Sequence, residues 1–280
     1  MINTQNIPSY KIKGLSIAQK IMPRLAYKMA LKLFYTPFSF PTAEEEFDYK
    51  RDLPIHRELV DEKRITIYLG GAPPFKVLLV HGWSGRASQF LHIGEGLKKA
   101  GIPYISFTAP AHGTSNDRRT HMLEFAACIE QISRLYGPFD CIIGHSLGGT
   151  ALMNSMTLGV KTDKVVLIGS HATTTGSIKD FVKKFSLNAK VEKQLFKHLE
   201  VNYHKDYEKY GVVRLAKEYA GNALIVHDEE DTECNISNAE DIKAAFKNSE
   251  LYSTKGFGHT RILANTAVVD KIVEFVKTKQ

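Results

Sequence analysis

The chain has 280 residues, 43% hydrophobic and 24% charged, a composition that excludes a disordered or fibrous chain and suits a globular domain with a sizeable core. Its three cysteines, Cys128, Cys141 and Cys234, are widely spaced and odd in number, which excludes a disulfide framework and fits a reducing, cytoplasmic compartment. The net charge of +7 is uneven: residues 1–43 carry six basic residues and no acidic one, leaving 31 basic and 30 acidic residues in the nearly neutral remainder; that balance argues against a nucleic-acid-binding domain.

The first fourteen residues lack a continuous apolar stretch, so no secretory signal is expected, and no apolar run is long enough for a transmembrane helix. Residues 15–35, LSIAQKIMPRLAYKMALKLFY, read as helix. Lys20, Arg24, Lys28 and Lys32 recur every four residues and fall on one helical face. Ser16 and Gln19 form a capping-box pattern, and Pro23 starts or kinks the helix. The simpler reading packs this helix on the body with its lysines in water; the alternative is peripheral contact with an anionic membrane. Residues 1–64 are read as this segment and a lead-in.

From residue 65 onward, short β-branched runs alternate with longer segments of helical periodicity. Strands are expected at Val77–Val80, Tyr104–Phe107, Cys141–Ile143, Val165–Ile168, Ala223–Val226 and Leu251–Tyr252, and helices over 86–100, 119–136, 147–158, 237–248 and 261–277. This order implies a mostly parallel sheet with helices on both faces, and right-handed crossovers then bring the strand C-termini to one edge, where ligands bind. Residues 171–220 are too long for one crossover and read as a helical cap inserted between 65–170 and 221–280. Within it Phe181, Phe185, Leu195, Phe196 and Leu199 either line an apolar channel or pack.

The chemistry concentrates after the strands. Gly144-His145-Ser146-Leu147-Gly148 follows an apolar strand and opens an apolar helix, the setting of a nucleophile elbow, with Ser146 as nucleophile. A serine hydroxyl needs a base; His259, in STKGFGHTRIL after the last strand, is the candidate. A carboxylate must orient that base, and ALIVHDEEDTECN supplies Asp231, far enough past its strand to turn toward His259, with Asp228 as runner-up or holder of the turn. The developing oxyanion needs donors: the backbone N–H of Leu147 and that of Trp83 in His81-Gly82-Trp83-Ser84-Gly85-Arg86. Trp83 and His145 are also placed at the substrate; His112, His145 and His171 fall near the same edge, where structural roles suffice. HExxH patterns are absent, so no catalytic metal and no cofactor are expected.

With these motifs in place, residues 65–278 resemble the α/β-hydrolase superfamily. VLLVHGW resembles its oxyanion strand and loop, FTAPAHGTS its Gly-His-Gly-x-Ser-like turn with Ala111 in place of the first glycine, GHSLGG its elbow, HDEED its acid loop with Asp228 where many members have glycine, and GFGH its histidine loop. The resemblance implies the α/β-hydrolase fold and a Ser146-Asp231-His259 triad that cleaves a small-molecule carboxylic ester or thioester through an acyl-enzyme. The same triad also serves perhydrolysis, carbon–carbon bond hydrolysis or acyl transfer, and the fold is also compatible with a non-catalytic binding module.

Overall fold

The computed structural model describes residues 9–278 apart from residues 114 and 116; the start of the N-terminal stretch and Thr114 of the FTAPAHGTS turn therefore lie outside the described residues. Two helices open the chain, α1 (Ser9–Ile21) and α2 (Pro23–Tyr35), separated at Met22. Pro23 sits in the first turn of α2, where its missing N–H leaves no bond unmade. The single helix expected over 15–35 is thus two, with Lys20 on α1 and Arg24, Lys28 and Lys32 on α2. Ser16 and Gln19 lie inside α1 and form no cap. Gln19 is instead buried, its Nε2 donating to the Ser186 carbonyl at 3.1 Å and its Oε1 accepting from the Asn188 N–H.

A short helix, α3 (Glu45–Asp52), leads into β1 (Ile55–Val60) and β2 (Lys63–Gly70). These form an antiparallel hairpin whose turn residues, Asp61 and Glu62, both have positive φ. β2 pairs with β4, so the expected division at residue 64 falls inside this hairpin, and residues 55–64 belong to the sheet.

The alternating part then follows: β3 (Val77–Val80), α4 (Leu91–Lys99), β4 (Tyr104–Thr108), α5 (Met122–Tyr136), β5 (Cys141–His145), α6 (Leu147–Ser155) and β6 (Lys164–Ile168). Residues 171–220 hold α7 (Thr174–Lys184), α8 (Ala189–Asn202) and α9 (Val212–Ala216). The chain closes with β7 (Asn222–Asp228), α10 (Ser237–Ala245), β8 (Ser249–Thr254), α11 (Gly258–Arg261) and α12 (Thr266–Lys277). The helix expected over 261–277 is broken at Asn265, whose side chain accepts from the Val268 N–H and caps α12.

The eight strands form one sheet in the order β1-β2-β4-β3-β5-β6-β7-β8, parallel from β4 to β8. Alternate side chains of each strand point to opposite faces. Leu78 and Val80 join Phe125, Ile129 and Leu152 under α5 and α6, while Val77 and Leu79 join Ile93, Leu97 and Ile272 under α4 and α12. The chain runs from β3 to β4 on one side and then crosses to β5 on the other, so β3 marks the point where strand order reverses and a crevice opens at the C-terminal edge.

A third core lies outside the sheet layers. Leu15, Ala18, Ala26 and Ala30 from α1 and α2 bury against Phe185, Leu187, Val191 and Leu195 from the 171–220 segment. The N-terminal helices therefore pack on that segment. Just beyond them, the chain is tied to the loop after β3 by a buried ion pair. Arg86 Nε donates to Glu46 Oε2 at 2.6 Å and Nη2 to Oε1 at 3.0 Å, while Nη1 also donates to the Phe40 carbonyl and Nη2 to that of Pro41. Ser88 donates to the same carboxylate. Removing one partner of such a pair leaves an uncompensated buried charge. Glu46→Ala is expected to lower stability by about 3–5 kcal/mol, measured as a fall in the urea unfolding midpoint.

Candidate active site

Ser146 stands between β5 and α6 with φ 53° and ψ −122°, a conformation that costs a non-glycine residue on the order of 1–3 kcal/mol. It is held there from both sides. Its N–H donates to the Ile168 carbonyl at 2.8 Å, and Ser170 Oγ donates to its carbonyl at 3.1 Å. The turn also needs bare backbone beside it. A Cβ on Gly148 would strike the Val80 carbonyl oxygen, and one on Gly144 would come within 2.6 Å of Gly149 Cα. The hydroxyl is thus presented at the N-terminus of α6, where the helix dipole favours negative charge.

The loop after β3 faces this turn. Gly82 lies so close that an added Cβ would be 2.9 Å from Ser146 Cβ. Two buried histidines brace the loop. His81 donates from Nδ1 to the Gly82 carbonyl at 2.7 Å and accepts the Ala109 N–H on Nε2 at 3.0 Å. His112 donates from Nδ1 to the Pro110 carbonyl at 2.9 Å and accepts the Ser84 N–H on Nε2 at 2.9 Å, with Ser84 at φ 59°. Each ring acts as both donor and acceptor, so each must be neutral. Burial enforces this, pushing His112 down to about 4 and His81 well below its ordinary value. Ala111, in place of the family's glycine, takes φ 63° beside His112. Phe38 N–H donates to Ser84 Oγ at 2.9 Å, so the residues after α2 also touch this loop.

Between the two braces, the Trp83 N–H has no acceptor among the described residues. Leu147 opens α6, so its N–H has no partner within the helix. Trp83, Ser146 and His259 line the same small pocket of about 80 Å³.

Asp231 Oδ2 is 2.6 Å from His259 Nδ1. The other carboxylate oxygen, Oδ1, accepts the N–H groups of Glu233 and Cys234 at 2.8 and 2.9 Å. Burial works against the charge on Asp231, yet the His259 contact and these N–H groups outweigh it and hold the carboxyl below its usual range. Burial likewise opposes a charge on His259, but the Asp231 hydrogen bond and negative charge raise its proton affinity above the ordinary imidazole. Asp228 has a different place. It accepts from Thr254 Oγ1 at 2.7 Å and from the N–H groups of Glu230 and Phe257, pinning the acid loop to the start of the histidine loop.

His145 also lines the small pocket, but the residue is 4% exposed and its Nε2 donates to the His259 carbonyl at 2.8 Å. Burial and the neighbouring His259 push it down to about 3, so it stays neutral. Its contact is with the backbone of the histidine loop, a positioning contact that spacing alone did not suggest. The bracing roles of His81 and Arg86 were equally absent from the motif reading. His171 Nε2 pairs with Asp180 Oδ2 at 3.0 Å on α7 and lines the larger cavity.

That cavity, about 660 Å³, extends from Ser146, Leu147, Trp83 and His259 into the 171–220 layer. Ile178, Phe181 and Leu199 line it from that layer, and Ile12 and Phe34 line it from α1 and α2. Of the five apolar side chains considered in 171–220, Phe181 and Leu199 thus reach the cavity. Phe185 and Leu195 pack in the third core, and Phe196 lies against Tyr207 with ring centres 5.9 Å apart.

A sheet of this order with a strained serine turn at its C-terminal edge defines a class. The family described as the alpha/beta hydrolase family matches residues 77–221, a little over half the chain, and the protein belongs to it. Among characterised proteins, the sn-1-specific diacylglycerol lipase ABHD11 of Xenopus tropicalis is 30% identical over 118 residues, 41% of this chain. The chain spans about a third of that relative's length, since the match covers 36% of it. A lipase candidate from Acinetobacter baumannii AYE shares the fold with a TM-score of 0.65 at 19% identity, covering 86% of this chain and 99% of its own. An esterase, EaEST from Exiguobacterium antarcticum, superposes with a TM-score of 0.60 at 19% identity, covering 79% and 98%.

The electrostatics of the pair give a direct expectation. In an NMR titration His259 titrates above the ordinary value of 6.5. With Asp231→Asn the burial remains but the opposing charge is gone, so the titration drops below that value.

Proposed function

We propose that the protein is a serine hydrolase that cleaves a carboxylic ester or thioester carrying an apolar acyl group. The observation that supports this most is the 2.6 Å contact between Asp231 and the Nδ1 of His259, a residue that lines one small pocket together with Ser146. With Nδ1–H donated to Asp231, the lone pair of His259 lies on Nε2, the nitrogen left to take up a proton.

In this reading Ser146 Oγ attacks the substrate carbonyl carbon while His259 Nε2 takes the hydroxyl proton. The carbonyl oxygen becomes negative and receives the N–H groups of Trp83 and Leu147, each worth on the order of 3 kcal/mol in such a hole. Collapse breaks the bond to the alcohol or thiol, which leaves with the proton held on His259. Water then loses a proton to His259 and attacks the acyl-enzyme, and Ser146 recovers its hydrogen as the acid departs. The 171–220 segment acts as a cap together with α1 and α2, and its cavity receives the acyl chain. His145, through the His259 carbonyl, keeps the base at its station.

The test is labelling by a fluorophosphonate probe together with hydrolysis of p-nitrophenyl esters. Ser146→Ala is expected to abolish labelling and to lower kcat by at least about a thousandfold; unchanged turnover in that variant removes Ser146 as nucleophile. The base must be neutral to act, so kcat/KM rises as pH climbs through the raised His259 value, and its acidic limb sits above the ordinary 6.5. Each methylene buried in the cavity contributes about 0.8 kcal/mol, so kcat/KM is expected to climb about fourfold per methylene along an ester series until the cavity is full.

A further inference from the structure

We infer that the corner where α1 meets α2 is a docking surface for an anionic lipid bilayer. Of the ten large apolar side chains exposed among the described residues, four lie within nine residues at this corner: Ile17 at 59%, Ile21 at 72%, Met22 at 54% and Leu25 at 42%. Ile17 and Ile21 are one helical turn apart and share a face of α1, opposite the buried face of Leu15, Ala18 and Gln19. The fold already has a use for the inner faces, which form the third core, and leaves these outer apolar groups in water.

Charge identifies the occupant. Lys20, Arg24 and Lys28 are all exposed among these apolar side chains, and residues 1–43 contain no acidic residue to offset them. The layer behind the corner has the same sign: residues 171–220 carry ten basic and six acidic residues. Together these two segments hold more than the chain's whole +7, and the remaining residues net to −3. An apolar tip ringed by basic side chains matches the boundary between lipid headgroups and acyl chains, where apolar groups insert and cations meet anionic headgroups. A second copy of the chain fits poorly, because a two-fold contact would set Lys20, Arg24 and Lys28 against their own equivalents.

The same two helices line the large cavity through Ile12 and Phe34. Docking at the corner therefore places the layer that encloses the cavity against the lipid. The docking itself does not depend on the hydrolytic reading.

Co-sedimentation of the full chain with vesicles tests it. Binding is expected to vesicles of equal parts phosphatidylcholine and phosphatidylglycerol and not to phosphatidylcholine alone. Each basic residue near such a surface contributes about a fivefold gain in affinity, so K20Q/R24Q/K28Q is expected to bind about a hundredfold more weakly. I17S/I21S is expected to lose about tenfold or more. Thermal unfolding monitored by circular dichroism checks that both variants fold. With the unaltered chain, binding is expected to collapse as added salt shortens the screening length to about 3 Å. Equal binding to both vesicle types, salt-insensitive binding, or folded variants that bind as well as the parent would overturn the proposal. So would a concentration-dependent dimer, abolished by I17S/I21S, in a chain that ignores vesicles.

Discussion

The backbone at Ser146 is the constraint on which the rest of the site depends. A left-handed serine is unfavourable by itself, so the surrounding structure has to fix it. Here β6 holds its N–H through the Ile168 carbonyl, Ser170 holds its carbonyl, and α6 crosses β3 closely enough that Gly148 must lack a side chain. The close approach and the strain are therefore one arrangement. It puts the serine at the N-terminus of α6 and brings the loop after β3 within contact of it.

The histidines around that turn show how burial and partners separate chemically identical side chains. His81, His112 and His145 are all buried and each is bonded to a backbone carbonyl; none gains a carboxylate in hydrogen-bond contact, and desolvation keeps all three neutral. A neutral ring with one donor and one acceptor can tie two backbone segments together, as His81 and His112 do for the loop after β3. His259 is also largely buried, yet Asp231 stands at its Nδ1 and reverses the sign of the shift. Proton affinity thus sets one histidine apart as the group able to take up a proton, while its neighbours serve as fixed connectors.

Much of this was legible in the sequence because the signals are local. VLLV, CIIGH and KVVLI read as buried parallel strands, and GHSLGG carries its turn chemistry in its own glycines. The separation of Asp231 from its strand end was also readable as reach, and the structure places that side chain against His259 while Asp228 holds the turn. The β1–β2 hairpin was not legible. Its turn residues are Asp61 and Glu62, without the Asn-Gly or Asp-Gly pair that marks such turns. β1, IHRELV, is an exposed edge strand with little apolar alternation. The bracing contacts of His81, Arg86 and His145 were hidden for a different reason: each joins residues 28 to 114 positions apart or depends on a ring nitrogen, and spacing encodes neither.

The N-terminal segment shows how a correct local reading can miss its context. The periodicity of residues 15–35 does describe helix, and Pro23 does interrupt it. What the pattern could not show is the partner: α1 and α2 bury their small residues against Phe185, Val191 and Leu195. Because α7 and α8 contribute the other half of that core, neither pair of helices would bury its apolar face without the other. A cavity enclosed by both pairs inherits this dependence, since a shift of α2 relative to α7 moves Phe34 against Phe181, whose rings now meet edge to face at 5.1 Å. The residues after α2 then reach the loop beside the serine through Phe38 and the Glu46–Arg86 pair. Residues 17–46 thus form a continuous link from the corner between α1 and α2 to the loop after β3 that lies beside Ser146.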